Sequence, residues 1–128
     1  MKLWSVLLLS AAFLCVGSTA FAQNLQMQVV DKDCWVEIYD DEKYDMSSPH
    51  IKLEGEQTLA SLKNVAGRDW NNDIESLIVG PNANVRAYTK KDFEGTEIAF
   101  VPDQKVPDLA KLNVGNKIES MKVTCGKK

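Results

Sequence analysis

The sequence predicts an all-β fold: two four-stranded Greek-key motifs packed as a sandwich, with one disulfide. Three observations predict it. Short runs of alternating apolar and polar residues recur between Gly, Pro and Asn turn signals, about one turn every ten residues. No window sustains the 3.6-residue period of an amphipathic helix. The chain also repeats itself in order. Val36-Glu37-Ile38-Tyr39 matches Val85-Arg86-Ala87-Tyr88, Leu59-Ala60-Ser61-Leu62 matches Leu109-Ala110-Lys111-Leu112, and Ile74-Glu75-Ser76 recurs as Ile118-Glu119-Ser120. Three ordered matches imply two copies of a unit of roughly 45 residues, the size of a four-stranded Greek key.

The elements follow along the chain. Met1-Lys2 gives a basic start, and 3–16 is an apolar run shorter than the ~20 residues a bilayer span needs. Gly17-Ser18-Thr19 breaks the run, and Ala20-Phe21-Ala22 has the small-x-small pattern of a cleavage site. The segment 1–22 therefore reads as a signal peptide cut before Gln23, and Leu14 before Cys15 disfavours a lipid anchor there. An extension over 23–33 leads into a domain over 34–125, with a tail over 126–128. The first strand, 34–39, places Cys34, Val36 and Ile38 on one face. Weaker alternation marks 51–53. A strand over 74–79 ends at Gly80-Pro81-Asn82, two more cover 85–89 and 96–101, and Pro102 stops the latter. The last strand covers 118–125. The segments 58–62 and 107–112 each read as one helical turn.

Composition limits the function. The 128-residue chain is 45% hydrophobic and 26% charged, ordinary for a globular protein. It carries 15 Lys+Arg against 18 Asp+Glu, a formal net charge of −3, and losing Lys2 with the leader makes it more acidic. No basic cluster offers a surface to nucleic acid or to an anionic membrane. There is no phosphate-binding glycine loop and no dinucleotide fingerprint. The sole histidine, His50, follows Ser47-Ser48-Pro49 and reads as a solvated loop residue rather than a catalytic base. The acidic run Asp40, Asp41, Glu42 reads as a charged hairpin tip. Nothing here marks an enzyme. Of three cysteines, Cys34 and Cys125 remain after cleavage. In an oxidising compartment an even pair reads as a disulfide, worth ~4 kcal/mol for so long a loop.

With the repeat and strands in place, the chain resembles the βγ-crystallin superfamily. Tyr88-Thr89-Lys90-Lys91-Asp92-Phe93-Glu94-Gly95 matches that family's Tyr-x4-aromatic-x-Gly hairpin signature in full. The first copy, 39–46, keeps both aromatics but has Met46 where glycine belongs, which implies a distorted or longer hairpin. The resemblance covers essentially the whole exported chain, 34–125. It implies calcium ligands at Asn/Asp-Asn/Asp-x-x-Ser/Thr-Ser. Asn71-Asn72-Asp73-Ile74-Glu75-Ser76 fits, with Glu75 replacing the hydroxyl residue. Gly115-Asn116-Lys117-Ile118-Glu119-Ser120 loses the first Asn/Asp and has Glu119 at the hydroxyl position. By resemblance, Asn72 and Asn116 offer side-chain oxygens, Asp73 and Lys117 offer carbonyls, and Glu75 and Glu119 add charge. Each site awaits a carbonyl from the partner hairpin. Glutamate is longer than serine, so its oxygens can overshoot, and a polar turn with solvent-facing glutamates remains the competing reading.

The expected function is a non-enzymatic structural or stress-protective protein, secreted or periplasmic, that binds calcium weakly. Its partners are a calcium ion and no nucleic acid or membrane, and it is a monomer or weak dimer. The alternative is an inhibitor of a secreted enzyme, acting through an exposed loop at 43–50 or 101–107. Carbohydrate stacking requires Trp35 or Trp70 to be exposed.

Overall fold

The computed structural model describes residues 31–126. The expected leader, its cleavage point, extension residues 23–30 and tail residues 127–128 lie outside the described residues. Eight strands follow in order: β1 (Trp35–Tyr39), β2 (His50–Glu54), β3 (Gln57–Leu59), β4 (Ser76–Val79), β5 (Ala83–Lys90), β6 (Glu94–Phe100), β7 (Lys105–Val106) and β8 (Ser120–Cys125). Among the described residues the only helices are short 3-10 turns, and none is long and apolar enough to cross a membrane.

Alternation fixes which face is buried. Val36 and Ile38 in β1, and Ala83, Val85 and Ala87 in β5, are fully buried, while Asn84 and Arg86 between them are exposed. These inward residues meet Leu62, Trp70, Ile74, Leu77, Leu109, Ile118 and Met121 in one core between two sheets.

The strands pair as β2-β1-β4-β7 and β3-β8-β5-β6, all antiparallel. Each sheet thus holds three strands of one copy and the third strand of the other. β3 leaves the first copy to pair with β8, and β7 leaves the second to pair with β4. The disulfide Cys34–Cys125 joins the start of β1 to the end of β8, across both sheets, over a sequence separation of 91.

Two expectations change and one holds. The segment 58–62 is not a helical turn. Its first part is β3, paired to Leu59↔Met121, because the open edge of β8 satisfies its backbone better than one isolated turn can. The segment 107–112 does form a 3-10 turn, Leu109–Leu112, capped by Asp108, whose carboxylate accepts from Ala110 N at 3.0 Å. The repeat also shifts register. Leu62 N donates to Glu119 O at 3.0 Å and Leu109 N donates to Glu75 O at 2.9 Å, so Leu62, not Leu59, is the counterpart of Leu109. Both leucines are fully buried. The Leu-Ala-x-Leu likeness in the sequence joined residues that do different work.

Candidate calcium-binding turns and the hairpins that hold them

The two copies build the same hairpin. Tyr39 meets Tyr44 edge-on at 5.8 Å, and Tyr88 meets Phe93 at 5.6 Å. Both tips carry two successive left-handed residues, Lys43-Tyr44 and Asp92-Phe93. A fully buried serine stitches each tip down. Ser76 Oγ donates to Asp41 O at 2.6 Å and accepts from Tyr44 N at 3.1 Å. Ser120 Oγ donates to Lys90 O at 2.6 Å and accepts from Phe93 N at 3.0 Å.

The glycine difference is visible in register. Tyr88 pairs with Glu97 and Tyr39 with His50, so the first loop is two residues longer (11 against 9 between paired positions). Gly95 has φ +81°, and a Cβ there would lie 2.4 Å from Thr89 Oγ1 and 3.1 Å from Lys90 N. Met46 lies outside the left-handed region and is 64% exposed. We expect Gly95→Ala to destabilise by about 1–3 kcal/mol, from backbone strain plus the displaced Thr89, as read by urea unfolding. An unchanged midpoint would show that the tip relaxes freely.

The residues expected as ligands do not sort by copy. Asn72 (φ 63°) and Asn116 (φ 57°) occupy equivalent left-handed turns. Asn116 N donates to Ile74 O at 3.3 Å, and its amide Nδ2 donates to Glu75 Oε2 at 3.0 Å. Asn72 N donates to Ile118 O at 3.0 Å, which sets it beside Glu119. One turn therefore joins Asn116 to Glu75 and the other joins Asn72 to the Ile118-Glu119 segment. The backbone holds each glutamate in place: Glu75 N donates to Tyr39 O and Glu119 N to Tyr88 O, each at 2.9 Å. Asp73 turns its carboxylate to Arg68 Nη2 at 3.4 Å, and Lys117 is exposed.

The missing first Asn/Asp of the second copy has a steric reason. A Cβ on Gly115 would lie 2.9 Å from the Cα and N of Ala110, in the 3-10 turn that crowds this side only.

The donors are carboxylate, amide and carbonyl oxygens, which suit a hard cation such as Ca²⁺. Sulfur and imidazole are absent from this set, so it does not fit zinc. Among the described residues no group of three or more His, Cys, Asp or Glu gathers to hold a metal. Each turn brings one glutamate together with one asparagine.

His50 is not a loop residue. It opens β2, stacks on Tyr39 at 5.6 Å, and sets Nδ1 3.3 Å from Glu37. Pairing with β1 recruits it, despite the preceding proline. Burial, then the charge and hydrogen bond of Glu37, push the Tyr39 hydroxyl up from 10.0 to about 12. A tyrosine that holds its proton more tightly when folded contributes stability that is complete below pH ~10 and lost as pH rises toward ~12. A two-unit rise corresponds to about 2–3 kcal/mol. We expect Tyr39→Phe to flatten this alkaline loss in unfolding measured across that window. An unaltered alkaline slope would show that Tyr39 does not cause it.

The acidic run braces the first hairpin. Asp40 pairs with Arg68 at 3.2 Å, and Asp41 accepts from Ser48 Oγ at 2.5 Å. The Ser47 hydroxyl and N–H hold the Asp45 carboxyl below its usual range. Trp70 is buried. Trp35 is half-buried, with Lys52 Nζ 4.5 Å from its ring centroid and Gly80 packed close enough that a Cβ would lie 2.7 Å from the indole. Neither indole is a free platform for a sugar. Sequence reasoning missed Arg68, Ser76 and Ser120 as organising residues. The serines had a signal, since each closes the repeated Ile-Glu-Ser; Arg68 had none.

The comparisons agree with this fold. The fold is similar to a structure described as "Evolution of the eye lens beta-gamma-crystallin domain fold" (TM-score 0.66, 22% identity, 80% of this chain and 96% of that one). It is also similar to a betagamma-crystallin domain from Clostridium beijerinckii (0.59, 24%, 70% and 97%). A third similar structure is a clostrillin double mutant in complex with nickel (0.57, 27%, 70% and 97%). No curated protein matches the sequence. The Beta/Gamma crystallin family model matches residues 32–122, the span that contains both hairpins, both buried serines and both asparagine turns, and the chain belongs to that family.

Proposed function

We propose that this protein is a non-enzymatic structural or stress-protective domain, secreted or periplasmic, that weak calcium binding stiffens. The observation that carries the calcium part is the meeting of Glu75 and Asn116 at 3.0 Å. Glu75 of one copy and Asn116 of the other meet there with Asn116 Nδ2 donating; with the amide turned over, Oδ1 and the carboxylate would face a cation, which would then link the halves of the sandwich. The covalent link at Cys34–Cys125 supports an oxidising compartment, as does the leader-like pattern at 1–22.

The mechanism is linkage. An ion that binds only the folded state adds stability set by the ratio of its concentration to its dissociation constant. At a dissociation constant of about 1 mM, 10 mM Ca²⁺ adds about 1.4 kcal/mol per site. A domain of this size then gains about 5 °C or more in melting temperature. The test is thermal unfolding and calorimetry of the 23–128 chain in EDTA and in calcium, beside Glu75→Gln. We expect a calcium-dependent rise that Glu75→Gln reduces. No heat and no shift at ~10 mM calcium would end this reading.

The alternative, a loop inhibitor of a secreted enzyme, finds less support. Met46 sits in a tight turn, where Ser48 N donates back to Asp45 O at 3.2 Å, rather than in an extended segment that an enzyme cleft could bind as a strand.

A further inference from the structure

We propose that Arg68 is a positioning residue that pre-sets the Asn72 turn, so that a cation fills the Asn72–Glu119 site before the Glu75–Asn116 site. This rests on the calcium reading above and adds an order and a cause to it.

Arg68 is tied on three sides. Its Nη2 contacts Asp40 Oδ2 at 3.2 Å on the first hairpin and Asp73 Oδ2 at 3.4 Å on the asparagine turn. Its guanidinium lies 4.1 Å over the Trp70 ring. Its backbone N and O both pair with Val65. Trp70 is buried, and its carbonyl accepts from Asp73 N at 3.1 Å. The arginine thus fixes both residues flanking the Asn71-Asn72 pair. Asn72, at φ 63°, is thereby held between two anchored neighbours, whereas Asn116 takes the same left-handed conformation at φ 57° without such anchors. Among the described residues, Arg68 Nη1 is buried with no hydrogen-bond partner. Burying an unpaired donor is unfavourable, so this position does not have the features of one optimised for stability alone.

The second turn has none of this. Val114 stands in the place of Trp70 and Lys117 in that of Asp73, as their matching backbone bonds show: Asp73 N to Trp70 O, and Lys117 N to Val114 O at 3.2 Å. The connection from the buried leucine is three residues shorter (5 against 8, Leu109 to Val114 and Leu62 to Trp70), which leaves no segment equivalent to the one carrying Arg68. Charge points the same way. Arg68 pairs with Asp40 and Asp73, one cation against two carboxylates, beside the turn whose Asn72 N donates to Ile118 O, next in the chain to Glu119. Around Asn116, Glu75 is offset by Lys117.

A planar fork that reaches two carboxylates and an indole is not replaced by lysine, although the charge is the same. Arg68→Lys therefore separates positioning from charge. The experiment is a calcium titration of the 23–128 chain, followed residue by residue through backbone amide NMR, for wild type, Arg68→Lys and Lys117→Gln. In wild type we expect the amides of 72 and 118–119 to saturate at lower calcium than those of 74–75 and 116. Arg68→Lys should weaken the first site by about tenfold, the scale on which outer-shell partners act, and leave the second unchanged. Lys117→Gln, on an exposed side chain, should strengthen the second site and narrow the gap; it also tests the proposal should Arg68→Lys not fold. A role confined to holding the fold together would lower the melting temperature in EDTA without moving either dissociation constant. That result overturns the proposal, as does saturation of the 116 turn first or an unchanged gap in Lys117→Gln. Wild type without any response ends the calcium reading along with it, whereas a responsive wild type with an equally responsive Arg68→Lys ends only this inference.

Discussion

Opening the Cys34–Cys125 bond with reductant, or replacing both cysteines with alanine, should lower stability by about 4 kcal/mol. The effect is large because the bridge closes a loop spanning a sequence separation of 91. Tying the two ends of the unfolded chain removes many of its conformations, while the folded state loses little. Cys34 is fully buried at the first residue before β1, so alanine is the better replacement; serine would bury a hydroxyl as well. For a domain of this size such a loss lowers the melting temperature by about 20 °C. Urea unfolding with and without reductant is the measurement. A drop of under about 1 kcal/mol would mean that the reduced chain keeps its ends together by other contacts.

The second large effect belongs to the buried serines. Ser76→Ala leaves Asp41 O and Tyr44 N without their hydroxyl partner, and Ser120→Ala does the same to Lys90 O and Phe93 N. Each loss of two backbone partners at a buried site should cost about 2 kcal/mol. The two serines share no partner, so the double variant should lose about 4 kcal/mol. Chemical denaturation of the singles and the double tests both the size and the additivity. If Ser76→Ala alone is nearly neutral, the longer first hairpin is satisfying its tip by other means.

The alternating strands were legible in the sequence because burial on one face writes a period of two. Val36 and Ile38, or Val85 and Ala87, announce themselves this way. β3 and β7 did not, since three and two residues are too few to show a period. What recruits them is the open edge of a strand contributed by the other copy, and no local pattern records that. His50 shows the same override: the loop signal of Ser47-Ser48-Pro49 is real, but pairing with Tyr39 begins one residue later. At the candidate site the sequence singled out asparagines and glutamates, but it did not show which of them meet. Asn72 and Glu75 lie close in sequence, yet Glu75 faces Asn116 because the two turns cross between copies. Arg68 lies in a segment that the second copy lacks, so the repeat could not point to it.

The traded third strands have a consequence for how this chain can be taken apart. A fragment holding only the first half would keep β1, β2 and β4 but carry β3 with no β8 to lie against. Such a fragment is not a small protein; it is half of a handshake, and it could complete itself only by clasping a second copy of itself.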